Sequence, residues 1–302
     1  MKISGFTILR NGESFDYPYQ ESLSSLLPLV DELIVSCGDS TDNTTSALEA
    51  FVASRSDGSK VKLIHSKWNL GDKTNRRGGQ ILAEQTNLAL QGCTGDWCVY
   101  LQADEVLHEA DLATLRSELT TLLDCRDIDA LVLNYRHFYA GYDIEQYSRS
   151  AYRREIRVVR NGVGITSIGD AQSFRYQDHR KIPSALSKAH IYHYGWVKPQ
   201  QTMQVKTSFM DTLYHPQAKL GDQIPATGDN YIYKRFVGLR VYKKSHPSVM
   251  QKRIKSAVKV DLQQLRWVFN LKDLFKVCAD WLEGKTGHRL FEYKNYILKR
   301  RF

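Results

Sequence analysis

The sequence predicts an α/β fold whose mostly parallel sheet is flanked by helices, and two observations predict it. Through the first half of the chain, short apolar runs rich in β-branched and aromatic residues alternate with longer stretches whose apolar residues recur at threes and fours. Strands that alternate with helices join in parallel, because each return to the starting edge needs a crossover, and both faces of the sheet are then covered.

The elements follow in order. Strands are expected at 3–9, 32–36, 61–65, 97–101 and 130–135. A helix over 43–55 has Asp42 and Asn43 as cap candidates and places Leu48, Phe51 and Val52 on one face. A second, over 80–90, follows Gly78 and Gly79. A third, over 110–123, spaces Leu112, Leu115, Leu119, Leu122 and Leu123 as a core-facing stripe. From about 135 to 234 the pattern loosens into short strands and aromatic loops, with a compact "HIYHYGW" at 190–196. After 235 it turns helical: 248–259 and 261–281 carry Leu262, Leu265, Phe269, Leu274, Cys278 and Trp281 at helical spacing, and Gly284 is expected to close the second helix. This divides the chain into an α/β domain, 1–234, and a helical extension, 235–302.

With 302 residues, 42% apolar and 25% charged, the chain has the composition of a globular protein and not of a disordered one. No apolar run reaches the roughly 18–20 residues of a membrane span, and the first ten residues lack the order of a signal peptide, so a cytoplasmic location is expected. Five scattered cysteines, an odd number without zinc-site spacing, fit reduced thiols. Charge is unevenly placed. Residues 235–302 hold 17 Lys and Arg against 5 Asp and Glu, a net +12, whereas the first 234 residues carry −3. That segment therefore calls for an anionic partner, a membrane surface or a polyanion.

Ligands of such sheets collect beyond the carboxyl ends of the strands. Three constellations sit there. "ELIVSCGDSTDNT", 32–44, runs a strand into a polar turn and a helix start, which leaves backbone N–H groups free or forms a well-capped turn. "KTNRRGGQILAEQTN", 73–87, sets Lys73, Arg76 and Arg77 before a glycine pair and a helix, either a diphosphate contact or a solvated basic loop. "GDWCVYLQADE", 95–105, ends a strand in Asp104 and Glu105. Carboxylates there need a cation, and Mg²⁺ typically takes only one or two of them, with water and phosphate oxygens completing its shell; the competing reading makes them the cap of the next helix.

Preceded by "FTILRNGES" at 6–14, these segments resemble the inverting family-two glycosyltransferases of the GT-A fold, a Rossmann-like architecture. That family shows a first strand ending near "YNE", a "DDGSTDGT"-like turn and a "GDWILFLDADE"-like segment; this chain has "LRNGE", "SCGDSTDNT" and "GDWCVYLQADE". The match is firm over 1–123 and thins to "REIRVVRNG" and "HIYHYGW" beyond.

The resemblance implies a nucleotide-sugar donor, a divalent metal (Mg²⁺ or Mn²⁺) and transfer with inversion to a glycan or lipid-linked acceptor, in assembly of a surface polysaccharide or lipopolysaccharide. Leu9, Arg10, Asn11 and Glu13 would line the nucleotide, Asp39 would meet the base, and Arg76 the diphosphate. Gln102 stands where the family often has a ribose-binding aspartate, and an amide can still pair with hydroxyls. Asp104 would bind the metal, with His193 completing its shell and His190 as the competitor. Asp170 in "SIGDAQSF" is the candidate base for the acceptor hydroxyl, with Asp178 and Glu155 as rivals. Arg154, Arg157 and Lys206 are candidates to offset charge on the leaving diphosphate.

The basic tail, with Trp267, Phe269, Phe275 and Trp281 among its cations, either lies on an anionic leaflet or packs its aromatics inward as a hairpin; "LKRR" at 298–301 is expected to be exposed. Two rival functions are a nucleic-acid-binding protein and a non-catalytic scaffold of the same fold. The first is disfavoured because the basic charge avoids the motif-bearing half, so no nucleic-acid partner is expected.

Overall fold

The computed structural model describes residues 1–215, 231–269, 271–286, 289 and 292–302. In chain order the first half contains β1 (Ile3–Leu9), α1 (Tyr19–Leu26), β2 (Glu32–Cys37), α2 (Thr44–Ala53), β3 (Val61–His65), α3 (Lys73–Arg76), α4 (Gln80–Gln91), β4 (Trp97–Tyr100), β5 (Glu105–Leu107) and α5 (Glu109–Leu122). The second half contains β6 (Ala130–Tyr139), β7 (Gly141–Gln146), β8 (Arg154–Arg160), β9 (Ile165–Ile168), β10 (Ser173–Tyr176), β11 (Ile182–Trp196), α6 (Gln200–Tyr214), β12 (Lys234–Arg235), β13 (Leu239–Val241), α7 (Gln251–Ser256), β14 (Arg266–Trp267), α8 (Leu271–Thr286) and β15 (Tyr296–Arg301).

The main sheet runs β13-β7-β6-β8-β4-β1-β2-β3, with β11 along the other edge of β6. Strands β3, β2, β1 and β4 are parallel, as their helical crossovers require. Alternate residues of these strands serve two cores. Ile3, Leu33, Val35, Trp97, Val99 and Leu131 pack with Leu23 and Leu26 of α1, Leu48 of α2 and Leu115, Leu119 and Leu122 of α5. Their neighbours Phe6, Ile34, Cys98, Tyr100 and Val132 face Ala89 of α4 and Phe174 of β10. A period of two with both faces apolar is the signature of a sheet covered on both sides.

The chain runs from β1 outward to β2 and β3 and then returns to the opposite edge of β1 with β4. This reversal opens a crevice between the carboxyl ends of β1 and β4. Beyond it, β5 pairs antiparallel with β11, bringing His193 opposite Glu105.

Glu105 is not a helix cap. His108 caps α5 through its ring Nδ1, while Glu105 is fully buried and holds Arg157. The two form a fork: Arg157 Nε donates to Glu105 Oε2 at 2.9 Å and Nη2 to Oε1 at 2.8 Å. The remaining nitrogen reaches the carbonyls of Ile156 and Gln172, and Glu105 also accepts from the Tyr135 hydroxyl and the Gln102 backbone N–H. Every polar atom of the pair is thus answered, which a buried charge demands. It also removes Arg157 from the groups able to reach a diphosphate.

Residues 235–302 are only partly the helical extension expected. Besides α7 and α8 they supply β13, which pairs with β7, and β15, which pairs with β11. Residues 261–267, expected in the second helix, form a turn and the short strand β14, and Gly284 lies inside α8 instead of ending it. The apolar stripe of α8 does not pack inward. Leu274, Phe275 and Trp281 are 53%, 61% and 65% exposed, and Cys278 is exposed with them. It is the polar face that docks: Arg149 holds Asp280 at 2.7 Å and Glu283 at 3.0 Å, and Arg153 holds Glu283 at 2.6 Å. Trp267 and Phe269 are also half exposed, and 299–301 lie exposed on β15.

Replacing Arg157 by Met strands the Glu105 carboxylate in the core and is expected to cost about 3–5 kcal/mol in urea unfolding. Adding Glu105→Gln in the same chain removes the orphaned charge and recovers part of that loss; a single variant as stable as the parent would show that the fork does not hold the fold.

Candidate active site

A cavity of about 660 Å³ opens at the crevice between β1 and β4. Leu9 and Arg10 enter it from the end of β1, Gln102 and Asp104 from the turn after β4, His193 and Trp196 from β11, Asp170 from the loop between β9 and β10, and Lys206 and Phe209 from α6. Several expected donor residues are thus brought together. Others support the wall without lining it. Asn11, at φ 52°, accepts the Thr41 backbone N–H on its side chain and ties the first two turns to each other. Glu13 is exposed and accepts the Tyr19 hydroxyl. Asp39 accepts from the Trp68 backbone N–H at 3.0 Å and from Arg10 Nε at 3.3 Å. Arg76 is buried against the Thr212 carbonyl of α6.

Arg10 is the donor-side cation that the cavity does expose. Its guanidinium lies 5.8 Å from the Trp68 ring centroid and 5.6 Å from that of Phe209, and its Nη1 is buried with no hydrogen-bond partner among the described residues. An unanswered guanidinium N–H at a cavity wall is a site for an acceptor atom of a ligand.

Asp104 is buried at the other end. Burial works against its charge, but the charges of Lys206 and Lys198 and the Lys206 hydrogen bond outweigh it and hold the carboxyl well below the usual carboxylate range. Lys206 Nζ donates to Asp104 Oδ2 at 3.1 Å and to the Gly195 carbonyl at 2.9 Å. His193 Nε2 stands 3.7 Å from Asp104 Oδ1. Gly195 permits this approach: a Cβ there would come within 2.6 Å of Asp104 Oδ2 and 2.7 Å of His193 Nε2. Lys198, donating to the Asp16 carbonyl at 2.7 Å, is pushed down to about 7 chiefly by burial, with the charge of Lys206 adding to it.

The proton positions on the imidazoles follow from their partners. His137 Nε2 lies 2.6 Å from the Tyr152 carbonyl, which can only accept, so that nitrogen carries the hydrogen. Burial, with His193 adding to it, drives the His137 pKa down to about 3, so its Nδ1 is a bare acceptor at neutral pH. His193 Nδ1 stands 3.1 Å from it and must therefore donate. Burial also lowers the pKa of His193 and keeps that ring neutral, leaving Nε2 as a lone pair turned toward a carboxylate. Two buried acceptors facing one another without a proton between them are relieved by a cation, and neutral imidazole with one carboxylate is a donor set that divalent ions accept. The residues present fit such an ion, although no group of three or more His, Cys, Asp or Glu among the described residues could hold one.

Of the rival histidine and bases, His190 turns away: its backbone N–H donates to Asp111 and its ring lines a separate cavity. Asp178 is exposed and paired with Arg180. Glu155 is buried against Gln172 and Asn295, and its pKa is raised by burial. Asp170 alone of the three lines the main cavity, where its Oδ2 accepts the Tyr214 hydroxyl at 2.8 Å. Gly79, at φ 74°, lets the start of α4 close on it, since a Cβ there would meet the Asp170 Cβ at 2.8 Å. His137, and Tyr17 whose ring lines the cavity with its centroid 5.0 Å from Lys206 Nζ, were not found from the sequence. Neither has a local motif; α6, which carries Lys206, lies where only short strands and aromatic loops were expected, although Val205, Phe209 and Leu213 recur there at helical spacing.

Comparison with known proteins places the chain in a family. The family model "Glycosyl transferase family 2" matches residues 19–182, more than half of the chain. The lipopolysaccharide core biosynthesis glycosyltransferase LpsC of Rhizobium meliloti (strain 1021) is 29% identical over 165 residues, 54% of this chain and 53% of the relative, so the match spans about half the length of that relative. Among solved structures, S. aureus TarS is similar with a TM-score of 0.39 and 18% identity, over 74% of this chain and 41% of that one. Glucosyl-3-phosphoglycerate synthase from Mycobacterium tuberculosis, crystallised with Mn²⁺ and UDP-glucose, has a TM-score of 0.30 and 21% identity, over 45% of this chain and 44% of that one. The chain belongs to glycosyl transferase family 2, and its α/β sheet is the GT-A type of fold expected of that family.

Proposed function

We propose that the protein transfers a sugar, with inversion, from a nucleotide-sugar donor to a glycan or lipid-linked acceptor in the assembly of a surface polysaccharide, lipopolysaccharide being the favoured product. The observation that carries this reading is the buried Asp104 carboxylate facing the bare Nε2 of His193 at the end of a cavity built on the sheet's switch point. A divalent cation, Mg²⁺ or Mn²⁺, would be held by Asp104 and His193 and would neutralise the departing diphosphate. Lys206 answers the other oxygen of the same carboxylate and adds positive charge where the leaving group develops its own. Arg10 offers its unanswered N–H to the donor, and Gln102 its amide to the ribose.

Inversion is supported by the inventory of acids. Asp104 and Asp170 are the carboxylates that line the cavity among the described residues. With Asp104 committed to cations, one acid remains, and single displacement needs one: the acceptor oxygen bonds to the anomeric carbon, the bond to the diphosphate oxygen breaks, and the hydroxyl proton passes to Asp170.

Membrane contact is the second part of the proposal. The apolar face of α8, bordered by Lys272 and Lys276, fits the interface of an anionic bilayer. No helix among the described residues is long and apolar enough to cross a membrane, so contact would be peripheral. The five free thiols support a reducing, cytoplasmic setting on the inner leaflet.

Two experiments test these statements. In a nucleotide-sugar panel assayed with and without Mn²⁺, Asp104→Asn is expected to lower metal-dependent turnover at least about a hundredfold, and Gln102→Ala by less than about tenfold, the scale of one hydrogen bond. Equal and small losses would contradict the assignment. In flotation with phosphatidylglycerol vesicles, the parent should bind and release in high salt, while Phe275→Ser with Trp281→Ser should bind at least tenfold more weakly; equal binding to phosphatidylcholine would argue against an anionic surface.

A further inference from the structure

A second cavity, of about 320 Å³, adjoins the first and shares His137, Gln146, Ala151 and Tyr152 with it. Five arginines and a single carboxylate, Glu145, line it among the described residues. We propose that this cavity binds an anionic group, phosphate or carboxylate, carried by the acceptor; the inference rests on the transferase reading above and adds the chemistry of its second substrate.

The argument is one of unbalanced charge. Arg136 Nη1 donates to Glu145 Oε1 at 3.0 Å, and Arg240 Nε donates to Oε2 of the same carboxylate at 2.8 Å. Arg154 has no carboxylate partner among the described residues; its Nε donates at 3.1 Å to Asn134 Oδ1, an oxygen fixed in place because the Asn134 amide donates to the carbonyls of Ser187 and Ala189. Two guanidiniums thus share one carboxylate, and a third has none among the described residues. A further sign of deficit is the Arg136 Nε, buried with no hydrogen-bond partner among the described residues. Burial and then repulsion from Arg153 lower the pKa of Arg154 against the opposing pull of Glu292. Glu283 and Glu292 are no source of relief, since Arg153 already engages both.

Concave arginine clusters answer phosphate and carboxylate through two parallel N–H donors, which ordinary water does less well. The volume suits one sugar-sized group. Its shared wall lets an acceptor place a hydroxyl toward the donor cavity while its anion remains among the arginines. His190, kept neutral by burial, lines the same wall and can pair with a sugar hydroxyl.

The test is calorimetric titration of the full chain with glucose 6-phosphate, glucuronate and uncharged glucose. At least one anion should bind and glucose should not, and the tighter anion names the group. Arg154→Gln and Arg240→Gln, checked for unchanged melting, should each weaken that binding about tenfold or more, while Asp104→Asn should leave it as in the parent. Three results would overturn the proposal: no anion bound, glucose bound equally well, or anion binding lost with Asp104→Asn and retained in both arginine variants. Because the titration needs no turnover, a protein inert toward every nucleotide sugar but binding the anion would defeat the transferase reading and leave this cavity standing.

Discussion

One buried ion pair organises the site. The Arg157 fork on Glu105 pins the start of β5 directly after β4, and Glu105 accepts a hydrogen bond from the Gln102 backbone N–H, closing the turn between them. Asp104 is the carboxylate left projecting from that closed turn into the cavity. The pairing of β5 with β11 then sets His193 opposite Glu105, so the same anchor decides which imidazole meets the neighbouring carboxylate. A pair of charges this deep contributes little net stability over an apolar substitute, but removing one partner is costly, and that asymmetry makes it a device for position.

From this anchor the electrostatics follow. Asp104 stays charged because two lysines face it, and His193 stays neutral because it is buried and donates to a second neutral ring. Lys206, the residue nearest the carboxylate, comes from α6, an element remote in sequence. The carbonyl of Tyr152, which starts the imidazole relay, lies in the same loop as Arg149 and Arg153, and these hold α8 through Asp280 and Glu283. The exposed apolar face of α8 is therefore tied by ion pairs to the wall of both cavities. In the proposed function, a surface that meets a bilayer and a site that meets a lipid-linked acceptor share one loop.

Much of this was legible in the sequence where structure is local. The strand and helix periods of the first half returned β1, β2, β3, β4, α2, α4 and α5 to within a residue or two, because each of these runs carries its own apolar face, whereas the short helices α1 and α3 were not foreseen. Asp104, Gln102, Leu9, Arg10 and Asp170 could be placed at the cavity because they follow strands or turns whose ends converge there. What failed was long-range. Glu105 looked like a helix cap because its partner, Arg157, lies far along the chain. Arg76 looked like a diphosphate contact until α6 covered it, and Asp39 proved to be the support of Arg10. The stripe on α8 was readable as a stripe, but its direction depended on two arginines elsewhere that claim the acidic face.

The most direct measurement of the central claim is the ¹⁵N NMR spectrum of the His193 ring between pH 6 and 8. The account predicts a neutral ring protonated at Nδ1, with an unprotonated Nε2 whose resonance moves when Mg²⁺ and a nucleotide sugar are added together. A ring that is doubly protonated at pH 7, or one protonated at Nε2, would contradict it.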